Sequence, residues 1–208
     1  MRNHELVPIE LINNIARLKY GGIHKVLSTL LRYKLVAHAS NEYNGYRLSY
    51  LGYDILALHA LLARGIIVSV GNQIGVGKES DIFEAQDSEG NEVVIKLHRL
   101  GRTSFRAVRK SRDYLNGKSK ASWLFMSRLA AVKEFAFMKA LHAHGFPVPT
   151  PIDQNRHIVA MSRVNGCLFS QLRAGSLNNP DSIYQECTEI LIRLAEHGML
   201  IFTTSCSR

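Results

Sequence analysis

Hydrophobic positions change period along the chain. Ile9, Ile12, Ile15 and Leu18 recur at three-residue steps after Pro8, the spacing of one helix face. Tyr20-Gly21-Gly22 breaks that helix, and Val26, Leu27, Leu30 and Leu31 mark a second. "KLVAHAS" predicts a strand, and "NEYNGYRLS" carries Asn44-Gly45, a hairpin signal. A third helix is predicted over roughly 50 to 64. Helix, turn, helix, strand, hairpin, strand, helix is the order of a winged helix-turn-helix. Such modules read nucleic acid with the second helix of the pair. They also serve as protein contacts, and the pattern leaves both open.

From residue 66 the period shortens. "IIVSVGNQ", "SDIFEAQ" and "EVVIKLHRL" are rich in β-formers, and "DSEGNE" between the last two predicts a hairpin loop. Residues 101 to 121 are polar and basic and predict a long mobile loop, a length that points to function or disorder. A strong helix is predicted over 123 to 145, stopped by "FPVPTPID", because each proline disfavours helix in the residue before it. "RHIVAMSRV" predicts a strand. "NPDSIYQECTEILIRLAEHG" predicts a last helix, with Asn179 or Asp181 as cap and Pro180 near its start. Its apolar stripe of Ile183, Cys187, Ile190, Leu191 and Leu194 is expected to be largely exposed. The fold class is α+β, with a boundary between residues 65 and 66 and a tail from 199 to 208.

Charge sharpens this picture. The net charge is +9, yet eleven Lys or Arg lie between Lys96 and Lys133, opposed only by Asp113. That stripe suggests a polyanionic partner, RNA or a phosphorylated ligand, with a solvated basic loop as the plain alternative. Arg99, Arg102, Arg106, Arg109 and Lys110 are its candidate phosphate contacts, joined by Lys25 and Arg32 on the second helix. The 208 residues and 46% hydrophobic content allow one large domain or two small ones with a real core. No apolar run approaches the roughly 20 residues of a membrane helix, so no membrane partner is expected. The N-terminus lacks a signal-peptide core. Cys167, Cys187 and Cys206 show neither metal spacing nor a disulfide framework.

"NQIGVGKESDIFEAQ", residues 72 to 86, holds the candidate chemistry. A Walker A loop needs a glycine where Asn72 stands and Ser or Thr where Glu79 stands. The segment that follows is a strand, which also argues against a dinucleotide fold. A kinase-type glycine turn between antiparallel strands fits better. Gly75 and Gly77 match the first two glycines of that pattern, and Ser80 replaces the third with a hydroxyl donor. Val76, Lys78 and Glu79 complete the turn. An ordinary hairpin glycine pair remains the alternative for the turn alone. Lys96 in "VVIKLH" lies on the next strand, like the phosphate-binding lysine of kinases, and such a lysine needs an orienting carboxylate. Glu134, in the middle of the strong helix, is the candidate, against a surface glutamate paired with Lys133 or Lys139.

"VGNQIGVGKESDIFEA", "IKLHRLGRTSFR", "SWLFMSRLAAVKEF" and "FPVPTPIDQNRH" closely resemble the RIO atypical protein kinases. The N-terminal winged helix points to the second, eukaryotic-type subfamily, and the resemblance runs over about residues 1 to 198. It implies a winged helix followed by a kinase-like N-lobe and the start of an incomplete C-lobe. It implies a serine kinase or ATPase that uses ATP and Mg2+. Its partners would be the pre-40S particle and rRNA, in the cytoplasm, with nuclear shuttling left open. It places adenine at a backbone hinge near Met161, Ser162 and Val164. Ser162 departs from the acidic residue usual in relatives.

After "LAEHG" the resemblance implies a catalytic loop with its aspartate and asparagine, and later a metal-binding aspartate. This chain reads "MLIFTTSCSR", and no Asp follows Asp181. The expectation is a chain that binds nucleotide but lacks catalytic and metal residues. Relatives also carry a helix before the part matching "NHE". A splice product, a frameshifted gene model and an incomplete record all fit these ends. A non-catalytic nucleotide- and rRNA-binding module, or a non-functional product, is the alternative to an active kinase.

Overall fold

The computed structural model describes residues 6–18, 22–40, 44–100, 102, 122–167, 171 and 179–198. Its elements run β1 (Val7–Pro8), α1 (Ile9–Ala16), α2 (Ile23–Arg32), β2 (Val36–Ala39), β3 (Gly45–Leu48), α3 (Tyr50–Ala63), β4 (Ser69–Val76), β5 (Ser80–Gln86), β6 (Glu92–His98), α4 (Trp123–Ala143), β7 (Pro151–Asn155), β8 (Ile158–Ser162) and α5 (Pro180–Glu196). The chain divides into two compact units, residues 1–163 and 164–208. The predicted winged-helix part and the larger sheet thus share the first unit.

The N-terminal part is a winged helix. β1, β3 and β2 form a three-stranded antiparallel sheet in that order beside α1 and α2. α2 buries Ile23 and Leu27, while Val26 stays exposed. α1 has the predicted apolar stripe but buries none of it, and Ile15 and Leu18 face solvent. Gly45 is not in the turn as its Asn-Gly signal suggested; it lies within β3, paired with Ala39 and Pro8. α3 is capped by Ser49, whose hydroxyl accepts from the Gly52 amide at 3.0 Å.

The second sheet has five antiparallel strands in the order β4-β5-β6-β8-β7. Strand alternation divides its side chains between two helices. Ala85, Val93, Ile95, Leu97, Ile158 and Ala160 pack with Ala57 and Leu61 of α3 and with Ile67. Val94, Val159 and Met161 pack with Ala131 and Met138 of α4, alongside Ile82 and Phe135. The winged helix therefore supplies one cover of this sheet, and α4 the other. The "DSEGNE" loop closes as read: the Asp87 carboxylate accepts from the amides of Glu89 at 2.9 Å and Asn91 at 2.8 Å. β7 was hidden by its prolines; Pro151 opens an edge strand, where a missing N–H costs no ladder bond.

In the second unit, α5 begins at Pro180 with Asn179 as its cap, accepting from the Ser182 amide at 3.3 Å. None of its residues is buried, and Tyr184, Leu191 and Ile192 are more than half exposed. No helix among the described residues is long and apolar enough to cross a membrane.

Candidate functional site

One row of paired residues crosses the sheet: Gly75 with Ile82, Ile82 with Lys96, and Lys96 with Val159. Residues directly opposite each other in antiparallel strands share a face. Lys96 therefore points with Ile82 and Val159 toward α4. There its Nζ donates to both oxygens of Glu134, at 2.7 and 2.9 Å. His98, two residues along β6 on the same face, brings Nε2 to 3.3 Å from the second oxygen. The pair is only part-buried, with 26% and 29% of the two side chains exposed. An ammonium held this way is a fixed point charge with room for a further anion. Glu134 holds Lys96, the pairing its mid-helix place suggested.

The glycine turn caps the β4–β5 hairpin. The Gly77 amide donates to the Ser80 carbonyl at 2.7 Å, and the Arg99 amide to the Glu79 carbonyl at 2.6 Å. A Cβ on Gly77 would meet the Ser80 carbonyl and Oγ at 3.3 Å each, closer than an ordinary contact. Glycine keeps the turn flat against Ser80. Val76, Gly77 and Lys78 are exposed, so their backbone is open to a ligand, while Glu79 and Ser80 are half-buried. Ile82, Val94 and Met161 supply apolar surface on the face that carries Lys96. Backbone amides, one fixed ammonium and an apolar surface suit a nucleoside triphosphate. Among the described residues no group of His, Cys, Asp or Glu could hold a metal ion.

At the expected hinge, Ser162 bonds to Thr150. Its amide donates to the Thr150 carbonyl at 2.9 Å, and its hydroxyl accepts from the Thr150 amide at 2.9 Å. Both Ser162 groups are thus fastened to Thr150, the residue just before β7. Val164 is exposed and begins the second unit. Arg163, which spacing did not single out, pairs with Glu84 at 3.1 Å and Glu92 at 3.0 Å.

The largest departure concerns the basic stripe. Arg99 is mostly buried and grips Asp54 of α3 through two nitrogens, at 2.6 and 2.8 Å. Its Nε also donates to Asp81 at 3.1 Å. Arg102 donates to Asp81 through both terminal nitrogens, one at 2.8 Å, and its Nη1 reaches the Gly77 carbonyl at 3.2 Å. His157 completes the group, with Nε2 at 2.7 Å from Asp54. Arg99 and Arg102 are thus tied to carboxylates, Arg99 mostly buried and Arg102 about a third exposed. Two arginines facing two buried aspartates satisfy each other, because an unpaired charge at such depth is costly.

Titration follows from this packing. Burial opposes ionisation of Asp54, but hydrogen bonds from His157 and Arg99 outweigh it and hold the carboxyl below its ordinary value. The Arg102 hydrogen bonds hold Asp81 down, against a smaller burial effect. Burial pushes His157 below the usual histidine value despite its bond to Asp54. The only sequence signals of this network were a lone acid in the apolar helix "YLGYDILALHALLA" and another ahead of "IF".

Lys25 and Arg32 lie exposed on α2, with Arg32 over the Tyr33 ring at 5.3 Å. No carboxylate pairs with either among the described residues. Arg106, Arg109, Lys110 and all of the predicted loop from 101 to 121 except Arg102 lie outside the described residues.

Comparison with known proteins accords with this geometry. A family profile described as RIO domain matches residues 81–203, and one described as Rio2, N-terminal, matches residues 1–64. The chain is 52% identical over 200 residues to serine/threonine-protein kinase rio2 of Dictyostelium discoideum, covering 96% of this chain and 38% of that protein. It is 49% identical over 200 residues to serine/threonine-protein kinase rio2 of Schizosaccharomyces pombe, covering 96% of this chain and 58% of that one. The crystal structure of the Rio2 kinase–ADP/Mg2+-phosphoaspartate complex from Chaetomium thermophilum is similar with a TM-score of 0.80 and 51% identity, over 94% of this chain and 57% of that one. The chain spans from 38% to 58% of the length of these three relatives. A winged helix docked on a glycine-turn sheet, with the Lys96–Glu134 pair on its far face, thus belongs with the profiles that match it: the chain is a member of the RIO kinase family, in its winged-helix-bearing Rio2 branch.

Proposed function

We propose that residues 66–164 bind ATP as the nucleotide-holding part of a RIO-type serine/threonine kinase or ATPase. The observation that carries this reading is the bidentate Lys96–Glu134 pair on the face beneath the glycine turn. The ADP/Mg2+-phosphoaspartate complex of the Chaetomium relative supports a nucleotide as the ligand. In this reading Lys96 places its ammonium on the α/β-phosphates, and Glu134 holds it there. The amides of Val76, Gly77, Lys78 and Glu79 and the Ser80 hydroxyl face phosphate oxygens. Ile82, Val94 and Met161 line the base. Mg2+ would screen the phosphates when bound, and the described residues provide no carboxylate cluster for it.

The substrate is serine in this reading, and the setting is maturation of the small ribosomal subunit on a cytoplasmic pre-40S particle. The exposed Lys25 and Arg32, with the lysines and arginines from 103 to 120, would contact rRNA phosphates. Phosphoryl transfer needs a base and a metal carboxylate, and no Asp follows Asp181 in these 208 residues. We assign these residues the nucleotide-binding part of that reaction.

Titration of the 208-residue chain with ATP tests this directly. Lys96→Ala is expected to cost about 1.5–3 kcal/mol of binding, the worth of a charge-assisted hydrogen bond, or roughly 10- to 150-fold in Kd. Equal affinity in wild type and variant would refute the assignment. The second reading, an rRNA-docking module, is favoured by the exposed cations Lys25 and Arg32 on α2. Incorporation of labelled phosphate into a serine substrate, abolished by Lys96→Ala, would show instead that this chain is a working kinase.

A further inference from the structure

Five side chains join the winged helix to the glycine turn. Asp54 sits on α3, the helix that both closes the winged helix and covers the sheet. It holds Arg99 through two hydrogen bonds. Arg99 passes to Asp81, the residue paired with Val76 at the base of the turn. Asp81 in turn holds Arg102, whose Nη1 donates to the carbonyl of Gly77 at 3.2 Å. His157 closes the far end on Asp54.

The position of that last contact matters. The Gly77 amide already donates to the Ser80 carbonyl. Arg102 takes the carbonyl of the same residue, so both polar groups of Gly77 are fixed. The Gly77 carbonyl shares its peptide plane with the Lys78 amide, so the Arg102 contact that holds this carbonyl also sets the direction of the Lys78 amide. Amides aimed before the ligand arrives bind an anion without the cost of ordering the turn. Arg102 could also touch phosphate itself, since about a third of its side chain is exposed. Its geometry speaks for the other role: both terminal nitrogens are engaged by Asp81, and one is shared with Gly77.

We infer that Arg102 is a positioning residue for the phosphate-binding turn: seated on Asp81 and anchored through Arg99 to Asp54 of the winged helix, it presets the turn's backbone amides for the phosphates of a nucleotide. This rests on the ATP reading above. It predicts an effect on phosphate recognition and none on the base. Removing Arg102 releases the turn but leaves Ile82, Val94 and Met161 untouched.

The test compares ATP with adenosine on the 208-residue chain, wild type against Arg102→Ala, Arg102→Lys and Asp81→Asn, with a thermal melt of each. Arg102→Ala is expected to weaken ATP about tenfold, part of the worth of a charge-assisted contact, and to leave adenosine within twofold. Arg102→Lys, which lacks the two-nitrogen fork that Asp81 engages, recovers only part of the loss. Asp81→Asn loosens the seat of Arg102 and reproduces the ATP-selective loss. Three results overturn the inference: unchanged ATP affinity in Arg102→Ala, equal loss of ATP and adenosine that follows the melting temperature, or tighter ATP binding in Asp81→Asn. The last would mean that a freed Arg102 contacts phosphate directly. The Lys96→Ala variant keeps the two levels apart. If wild type binds no ATP, the nucleotide reading fails; if Lys96→Ala weakens ATP and Arg102→Ala does not, only the positioning role fails.

Discussion

Asp54 offers the sharpest test of how the winged helix is held to the sheet. Its carboxylate accepts two hydrogen bonds from Arg99, at 2.6 and 2.8 Å, and one from His157 at 2.7 Å. Asp54→Ala removes all three at once. Arg99 keeps Asp81, at 3.1 Å from Nε, so its charge is not wholly abandoned. His157 loses the partner of Nε2, and its Nδ1 is already buried with no hydrogen bond among the described residues. Breaking one side of a buried pair costs about 3–5 kcal/mol. For a domain of this size each kcal/mol moves the melting temperature by about 2–4 °C, so a fall of roughly 6–20 °C is expected.

The chain carries its own probe for this measurement. Trp123 is its single tryptophan, and it stacks on Tyr50 at 3.7 Å and meets Tyr53 edge-on at 5.9 Å. Tyr50 and Tyr53 belong to α3 and Trp123 opens α4, so indole fluorescence in a urea titration reports directly on this junction. The pH dependence has a fixed sign. Asp54 and Asp81 are held below their ordinary values, so their contribution is present above the unfolded carboxylate value of about 4 and is lost as pH falls through the folded values. His157 is also held low, so below about pH 6.5 the unfolded chain takes a proton that the fold refuses. Both effects weaken the fold on acidification, and Asp54→Ala should flatten the acid limb. A loss under about 1 kcal/mol, the range of surface bridges, with an unchanged acid limb would refute the argument.

Two further outcomes are open to direct measurement. A Cβ on Gly52 would lie 1.9 Å from the Leu35 carbonyl, so Gly52→Ala must push α3 off the winged helix; a loss of about 3 kcal/mol or more in the same urea titration is expected, and a loss below about 1 kcal/mol would show that α3 yields freely. If the α2 cations contact RNA backbone, Lys25→Gln with Arg32→Gln should reduce the slope of log affinity against log salt by about 0.7–0.9 per lost contact, whereas Arg99→Gln should alter stability and leave the slope alone. An unchanged slope for the α2 pair would place the RNA surface elsewhere.

Much of this architecture could be read from local pattern. "EVVIKLH" is a run of β-formers that becomes a buried strand, and "IELINNIA", "IHKVLSTLLR" and the stretch from Trp123 carry helical spacing, so their elements form where predicted. The Lys96–Glu134 pair could also be named in advance, although 38 residues separate its members. A lysine on a strand after a glycine turn needs a carboxylate, and Glu134 stood mid-helix among apolar neighbours. Local pattern failed where one residue obeyed two masters. Pro151 stops a helix and also starts an edge strand, and only the pairing with β8 reveals the second role. Asn44-Gly45 announced a hairpin, but β1 pairs across from Gly45 and draws it into the strand.

The basic stripe shows why charge along a chain is a weak guide to charge at a surface. Arg99 and Arg102 lie in a run of cations with no acid nearby in sequence. Their partners come from 45 residues and 18 to 21 residues away, on α3 and at the start of β5. Spacing carries no record of such pairings, because the fold alone brings α3 against the sheet. What sequence does record is the cost of the alternative. Asp54 stands in a helix of otherwise apolar and aromatic residues, and Asp81 precedes an apolar pair in a strand. Acids there are stable as ions only if cations reach them. A stripe of excess lysine and arginine beside two such acids therefore contains two different populations. Some cations are bound by the protein itself, and the remainder carry the net positive charge. The two are separated by counting buried acids first, and only the remainder is available to a polyanion.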